Sequence, residues 1–200
     1  MGETSKASLT QAQRREKTRS AVLDSACRLF GQRGYADTSL EDIAADSGVT
    51  IRPIYHYFGN KKALFAAVNE VMEQRIVDSM GVPGEEGIVD NWRAFLALCE
   101  NPGFRRIVLV DSPNILGRER WSSSAVMEQA RANLGDVPRS DAAGQFRAAL
   151  LNRVVIGAFT EAALAVAEAP DPALARREAE RLMGRLFANL RGQLSVPGVT

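Results

Sequence analysis

The chain has 200 residues, 46% of them hydrophobic, enough for one ordinary domain or for a small domain joined to a helical one. With 25 Lys and Arg against 24 Asp and Glu the net charge is +1, so affinity for nucleic acid has to come from local rather than global charge. Only two cysteines occur, Cys27 and Cys99, without C-x-x-C or other metal-ligand spacing, which excludes a disulfide framework and a zinc module; no metal and no cofactor is expected. The opening MGETSKASLTQAQRREK carries no apolar leader, and no run approaches eighteen apolar residues, so a soluble, cytoplasmic protein without a membrane partner is expected.

In chain order, Val22, Leu23, Ala26, Cys27, Leu29 and Phe30 recur at three- and four-residue spacing and predict a first helix from about Gln11 to Gln32. Between Lys6 and Arg33 seven basic residues face only Glu16 and Asp24, which makes Arg14, Arg15 and Lys17 candidates for a DNA backbone. The stretch SLEDIAADSGVTIRPIYHYFGNKKAL then reads as two short helices meeting at a glycine turn. Ser39 and Asp42 form a capping-box start, and Leu40, Ile43 and Ala44 supply an apolar stripe. Gly48 provides the positive φ of a tight turn, Thr50 is placed to cap the second helix, and Pro53 falls in its first turn, where a missing N–H costs nothing.

The second helix would expose Ile51, Arg52, Tyr55 and His56 opposite the core residues Ile54 and Phe58. A guanidinium can present a fork to guanine O6 and N7, and an isoleucine can touch a thymine methyl. Ser39 and Thr50, at helix N-termini, can donate to a phosphate or simply cap. His56 is the single histidine, so a metal cluster or a Ser-His-Asp site would have to use it.

The order G-Y-x-x-T-S-L-x-x-I-A, G-V-T, I-Y-x-Y-F-x-N-K-x-x-L, covering about Arg14 to Val71, closely resembles the DNA-binding domain of the tetracycline-repressor (TetR) family. The rest of the chain resembles it only in layout, and Ile51 stands where the family often has Ser, Arg or Lys. The resemblance implies that Tyr55, Tyr57 and Lys61 hold the phosphate backbone, chemistry suited to phenols and an ammonium. It also implies a C-terminal cavity for a small-molecule effector, and a homodimer built through a two-fold four-helix bundle.

Past Gly59, Asn60 can cap a fourth helix with the stripe Leu64, Phe65, Val68, Val71, Met72 and Ile76, broken by Gly81-Val82-Pro83-Gly84. Further helices are expected over 86–100, 102–109, 119–134, 141–168 and 171–191, the last started by Asp171-Pro172 and closed by Gly192. No alternating strand pattern occurs, so the fold class is all-α: a helix-turn-helix domain over 11–58, a connecting helix over 60–80, and an effector-binding and dimerisation domain over 84–194.

Candidate effector contacts are Trp92, Phe95, Phe104, Val108, Trp121 and Met127, with Asp111 as polar anchor and Arg153 as a second anchor or its ion-pair partner; Phe146 and Phe159 join the aromatic set, and core filling is the competing reading. The last two helices carry surplus apolar surface, Leu150, Val154, Gly157, Ala158, Glu161 and Ala162, then Leu182, Met183, Leu186, Phe187 and Leu190, expected at the dimer interface. The sequence thus reads as a ligand-responsive regulator, most simply a repressor, on palindromic double-stranded operator DNA. A dimeric DNA-binding protein without effector is the alternative. An enzyme is disfavoured, since no P-loop, G-x-G-x-x-G after a strand, H-E-x-x-H or G-x-S-x-G is present.

Overall fold

A computed structural model of the protein describes residues 10–80, 88–117, 126 and 141–194, with side chains left out at a few positions within the helices. As expected, the fold is all-α, and the described residues contain no strand. The elements are α1 (Gln11–Arg33), α2 (Leu40–Ser47), α3 (Ile51–Phe58), α4 (Lys61–Ser79), α5 (Ile88–Cys99), α6 (Pro102–Arg105), a π-helical segment (Arg106–Asp111), α7 (Ser112–Ile115), α8 (Ala142–Glu168) and α9 (Pro172–Leu194). Two compact units result, one ending at Asn69 and one beginning at Glu70, so the division falls inside α4. All three tyrosines belong to the first unit and both tryptophans to the sequence of the second.

In the first unit α1 opens on a capping box, with the Gln13 N–H donating to Thr10 Oγ1 at 3.2 Å and the Thr10 N–H donating to Gln13 Oε1 at 2.8 Å. Its inner face, Val22, Ala26, Leu29 and Phe30, meets Leu40, Ile43 and Ala44 of α2, Ile54 of α3, and Leu64, Phe65 and Val68 of α4 in the buried core. Phe30 and Phe65 pack edge to face at 5.2 Å, and Tyr35 meets Phe65 at 5.1 Å. Each such side chain contributes roughly 1.5–3 kcal/mol by leaving water. The Thr38 hydroxyl donates to the Gly34 carbonyl at 2.8 Å and closes the loop between α1 and α2. Asn60 caps α4 through the Ala63 N–H at 2.8 Å.

In the second unit α5 buries Trp92, Phe95, Leu96 and Cys99. Trp92 lies stacked on Phe159 of α8, with centroids 4.9 Å apart and an interplanar angle of 23°. Phe104 of α6 and Ile107, Val108 and Leu109 of the π segment complete this side of the core. The expected loop at 112–114 is helical instead: Arg106 and Ser112 both have right-handed helical angles, and the Ser112 N–H donates to the Ile107 carbonyl five residues back. The widened turn leaves room for the ring of Pro113, which would clash in a regular interior turn.

Asp141 caps α8 through the Gly144 N–H at 2.7 Å, and Asp171 caps α9 through the Leu174 N–H at 3.0 Å. Gly192 does not close α9, which continues to Leu194; a glycine weakens a helix interior without forbidding it. An ion-pair chain ties α5 to α9: Arg93 reaches Asp90 at 2.9 Å and Glu180 at 3.4 Å, and Arg176 pairs with Glu180 at 3.2 Å and also with Glu100. Of the expected helix over 119–134 only Val126 is described, and it is buried.

One helix among the described residues, α8, is long and apolar enough by length and average composition to cross a membrane, although it holds no uninterrupted run of eighteen apolar residues. Counting uninterrupted apolar runs misses it because Arg153 and Glu161 break the run, whereas an average over eighteen residues absorbs two charges.

Candidate nucleic-acid interface

The first unit builds a short exposed helix on a fixed turn. Ser39 and Asp42 form the reciprocal cap read from the sequence: the Asp42 N–H donates to Ser39 Oγ at 3.0 Å and the Ser39 N–H to Asp42 Oδ2 at 2.9 Å. The Ser39 hydroxyl also donates to Asp42 Oδ2 at 2.6 Å, so its hydrogen is committed to the cap. These bonds, the hydroxyl's first, hold the Asp42 carboxyl below the usual carboxylate range, with help from the Arg33 and Lys61 charges. Gly48 ends α2 at φ 68° and ψ 26°, left-handed angles a side chain would resist. A Cβ there would meet nothing within 4 Å, so the demand for glycine is one of backbone, not space.

Thr50 occupies the first boundary position of α3, but its side chain makes no capping bond, contrary to the expected role. The exposed hydroxyl is therefore available to another acceptor or donor. Along α3, Ile54 is buried, Ile51, Tyr57 and Phe58 are half-buried, and Arg52, Tyr55 and His56 are exposed, Tyr55 by 51%. Arg52 has no ion-pair partner among the described residues: the carboxylates that could have claimed it are engaged elsewhere or apart, with Asp42 3.8 Å from Arg33 and Asp46 paired with Arg28. His56 meets the Tyr57 ring edge-on at 5.2 Å, and the Arg19 guanidinium lies 5.6 Å from the Phe58 centroid.

Lys61 departs from a free ammonium. Its Nζ sits 4.4 Å from the Tyr35 ring centroid and donates to the Ala36 carbonyl at 3.3 Å. These contacts tether the start of α4 to the loop before α2 and hold the charge at a defined place. Eight residues of α3 span about 12 Å, the width of a B-DNA major groove. The set of one guanidinium, one phenol, one imidazole and one hydroxyl, all exposed, suits base edges and phosphates. Among the described residues no three His, Cys, Asp or Glu side chains cluster for a metal.

In the second unit the expected effector contacts Trp92, Phe95, Phe104 and Val108 are buried together in the core, while Asp111 is half-buried at the end of the π segment. Arg153 is exposed and has no ion-pair partner among the described residues, so it is neither an internal anchor nor paired with Asp111. Trp121 and Met127 lie outside the described residues. Three groups that sequence reasoning missed or left unassigned stand out: Asn91 Oδ1, Trp92 Nε1 and Ser112 Oγ are buried and have no hydrogen-bond partner among the described residues. Each such orphan costs about 1–3 kcal/mol. The only advance sign was that Asn91 stands beside Trp92 and four residues before Phe95, on the buried turn. Burial pushes the Cys99 thiol up to about 12, against the opposing pull of Arg105, so Cys99 is inert.

The outer face of α8 and α9 is apolar. Leu150 and Val154 are about half exposed, Leu182 is 67% exposed and Leu186 is exposed, with Glu161 exposed and Ala158 and Ala162 half-buried beside them. A Cβ at Gly157 would meet nothing within 4 Å. Met183 is a correction: it faces the core and is buried. Phe146, expected among the core aromatics, is instead 67% exposed and continues the Leu150 and Val154 stripe by one turn. The side chains of Phe187 and Leu190 lie outside the described ones.

Two family models match the chain: "Bacterial regulatory proteins, tetR family" over residues 22–68 and "Tetracyclin repressor-like, C-terminal domain" over residues 85–190. The chain is similar to the HTH-type transcriptional regulator AcrR of Shigella flexneri, 44% identical over 64 residues, 32% of this chain and 30% of that protein. It is also similar to an HTH-type transcriptional repressor of Streptomyces coelicolor, 31% identical over 78 residues, 38% of this chain and 39% of that protein. The match thus spans well under half the length of these curated relatives. Among solved structures, a TetR-family transcriptional regulator from Pectobacterium atrosepticum is 30% identical, with a TM-score of 0.61 over 91% of this chain and 97% of that one.

Proposed function

The chain belongs to the tetracycline-repressor family and is a transcriptional regulator rather than an enzyme, and from that premise we propose that it is a repressor released from its operator by a small molecule. The carrying observation is α3, where Arg52, Tyr55 and His56 stand exposed and Arg52 has no ion-pair partner among the described residues, on a helix fixed by the Ser39 cap and the Gly48 turn. Arg52 reads a guanine, and Tyr55, Thr50 and the tethered Lys61 hold phosphates; Tyr57, half-buried, packs edge-on against His56 and Phe58.

A homodimer accounts for the exposed stripe Phe146, Leu150 and Val154 with Leu182 and Leu186, since apolar surface of this extent seeks a partner. A second copy fits better than a bilayer, in which Arg153 and Glu161 would each cost about 2.5–3.5 kcal/mol near the helix centre. A two-fold dimer sets the operator as a palindrome with half-sites about 34–36 Å apart or somewhat more. An effector that alters operator affinity about 5–150-fold needs a coupling of only about 1–3 kcal/mol.

The test is selection of bound sequences from a random DNA pool by the purified protein, with and without a library of apolar small molecules. The expected result is an enriched palindrome that one compound class abolishes. No enrichment at low salt removes the DNA-reading assignment, and enrichment that no ligand alters leaves only the dimeric DNA-binding part. Leu150→Glu with Leu182→Glu should give a folded monomer by sedimentation; a persistent dimer places the interface elsewhere.

A further inference from the structure

Lys61 opens α4, where a cation is a poor choice for stability: the N-terminal end of a helix dipole is positive, and the first turn of α4 holds no acidic residue to offset it. The side chain is nevertheless fixed. Its Nζ lies 4.4 Å from the Tyr35 ring centroid and donates to the Ala36 carbonyl at 3.3 Å, and no carboxylate pairs with it among the described residues. Both holders are themselves braced. The Tyr35 ring stacks on Phe30 at 5.8 Å and meets Phe65 edge-on at 5.1 Å, and Phe30 and Phe65 are fully buried. The Thr38 hydroxyl, donating to the Gly34 and Leu29 carbonyls, closes the loop that carries Ala36. Burial raises the Tyr35 phenol above its ordinary value, so a neutral ring rather than a phenolate faces the ammonium. Ring and carbonyl attract the charge without cancelling it, as a carboxylate would, and an ammonium has three donors, of which the Ala36 bond uses one. Asp42, whose carboxyl is held low first by its Ser39 hydrogen bonds and only lastly by the Lys61 charge, is committed to the α2 cap.

We propose that Tyr35 is a positioning residue for DNA binding: its ring holds the Lys61 ammonium in place before DNA arrives, so that one backbone phosphate meets a fixed charge rather than a mobile side chain. The inference rests on the reading of Lys61 as a phosphate contact and deepens it, by assigning part of that contact's affinity to a residue behind it. A free lysine loses side-chain rotations when it docks, whereas one already seated loses few, a difference of about two- to tenfold in affinity. Phosphate contacts set the register of a reading helix on the duplex, so a fixed charge at the start of α4 also fixes where α3 comes to lie.

The test is anisotropy titration of the palindromic duplex enriched in the selection above, at several salt concentrations, with full-length chains that carry progressively fluorinated phenylalanines at position 35. Fluorine withdraws electrons from the ring face while nearly keeping its shape, so packing is retained and the attraction for a cation fades. Tyr35→Phe, which keeps the ring, should bind like the parent. Along the series affinity should then fall, by about two- to tenfold in all, with the salt slope unchanged because the ammonium still reaches the phosphate. Lys61→Gln should lower the salt slope by about one, and in that background the fluorine series should be flat. A flat series in the parent background, or an equal fall in the Lys61→Gln background, makes Tyr35 a packing residue and overturns the proposal. Affinity that rises with fluorination overturns it too, since the ring would then be withholding Lys61 from DNA. If Lys61→Gln lowers the slope while the series is flat, the phosphate reading of Lys61 stands and this inference alone falls; if Lys61→Gln changes neither affinity nor slope, both fall.

Discussion

The two units distribute polarity in opposite ways. In the first, apolar side chains such as Phe30, Ile43, Ile54 and Phe65 are fully inside, and the polar groups of α3 are outside and free. In the second, Phe146, Leu150, Val154, Leu182 and Leu186 face outward, while the polar side chains of Asn91 and Ser112 are buried. The first unit encloses its apolar side chains and turns Arg52, Tyr55 and His56 outward. The second turns apolar side chains outward, and on the proposed reading that face is where a second copy packs.

The largest effect that would break this contrast lies in the first core. Phe30→Ala should cost about 3–5 kcal/mol in denaturant unfolding, because it opens a hole between α1 and α4 beside Phe65 and Tyr35. A loss below about 1 kcal/mol would mean that the first unit is as loosely completed as the second. Next, Arg52→Ala should leave melting unchanged and remove about 1–3 kcal/mol of discrimination between operator and a guanine-substituted site, read as a fall in the ratio of the two affinities. Unchanged preference would take Arg52 out of the readout.

Ser39→Ala should cost about 1 kcal/mol of stability through loss of the α2 cap. It should also change the acid limb. The Asp42 carboxyl is held low in the folded state, so its contribution is complete above about pH 4, the ordinary carboxylate value, and is lost as pH falls through the lowered value. Acid titration of stability in Ser39→Ala should therefore be shallower than in the parent. Smallest of all, Phe146→Ser should shift monomer stability by no more than about 0.5 kcal/mol, since an aromatic 67% exposed has little to lose, yet weaken self-association in sedimentation. A large stability loss would mean that the outward face of α8 is internally packed.

What was legible in the sequence was local. Ser39, Gly48, Asn60 and Asp171 act on backbone within a few residues, so their spacing alone announces them, and the structure places each as read. Thr50 occupies the same kind of position and failed, because a boundary position does not oblige the hydroxyl to turn inward. The misplaced residues depend on contacts far along the chain. Met183 and Phe146 both belong to apolar stripes, and only packing decides that one is covered and the other left out. Arg153 was offered a buried role that solvent won, as its exposure shows. The helical passage through Pro113 depends on a π turn that no residue pattern signals.

The segregation of tyrosine and tryptophan has a practical consequence. Tyr35, Tyr55 and Tyr57 report on the reading unit, and Trp92 and Trp121 on the other, so the molecule carries a built-in two-colour optical label. Red-edge excitation selects indole emission and follows one half, while phenol absorbance follows the other, without any dye or engineered probe. Melting curves recorded in the two channels on the same sample would coincide if the units unfold as one and separate if either can open alone.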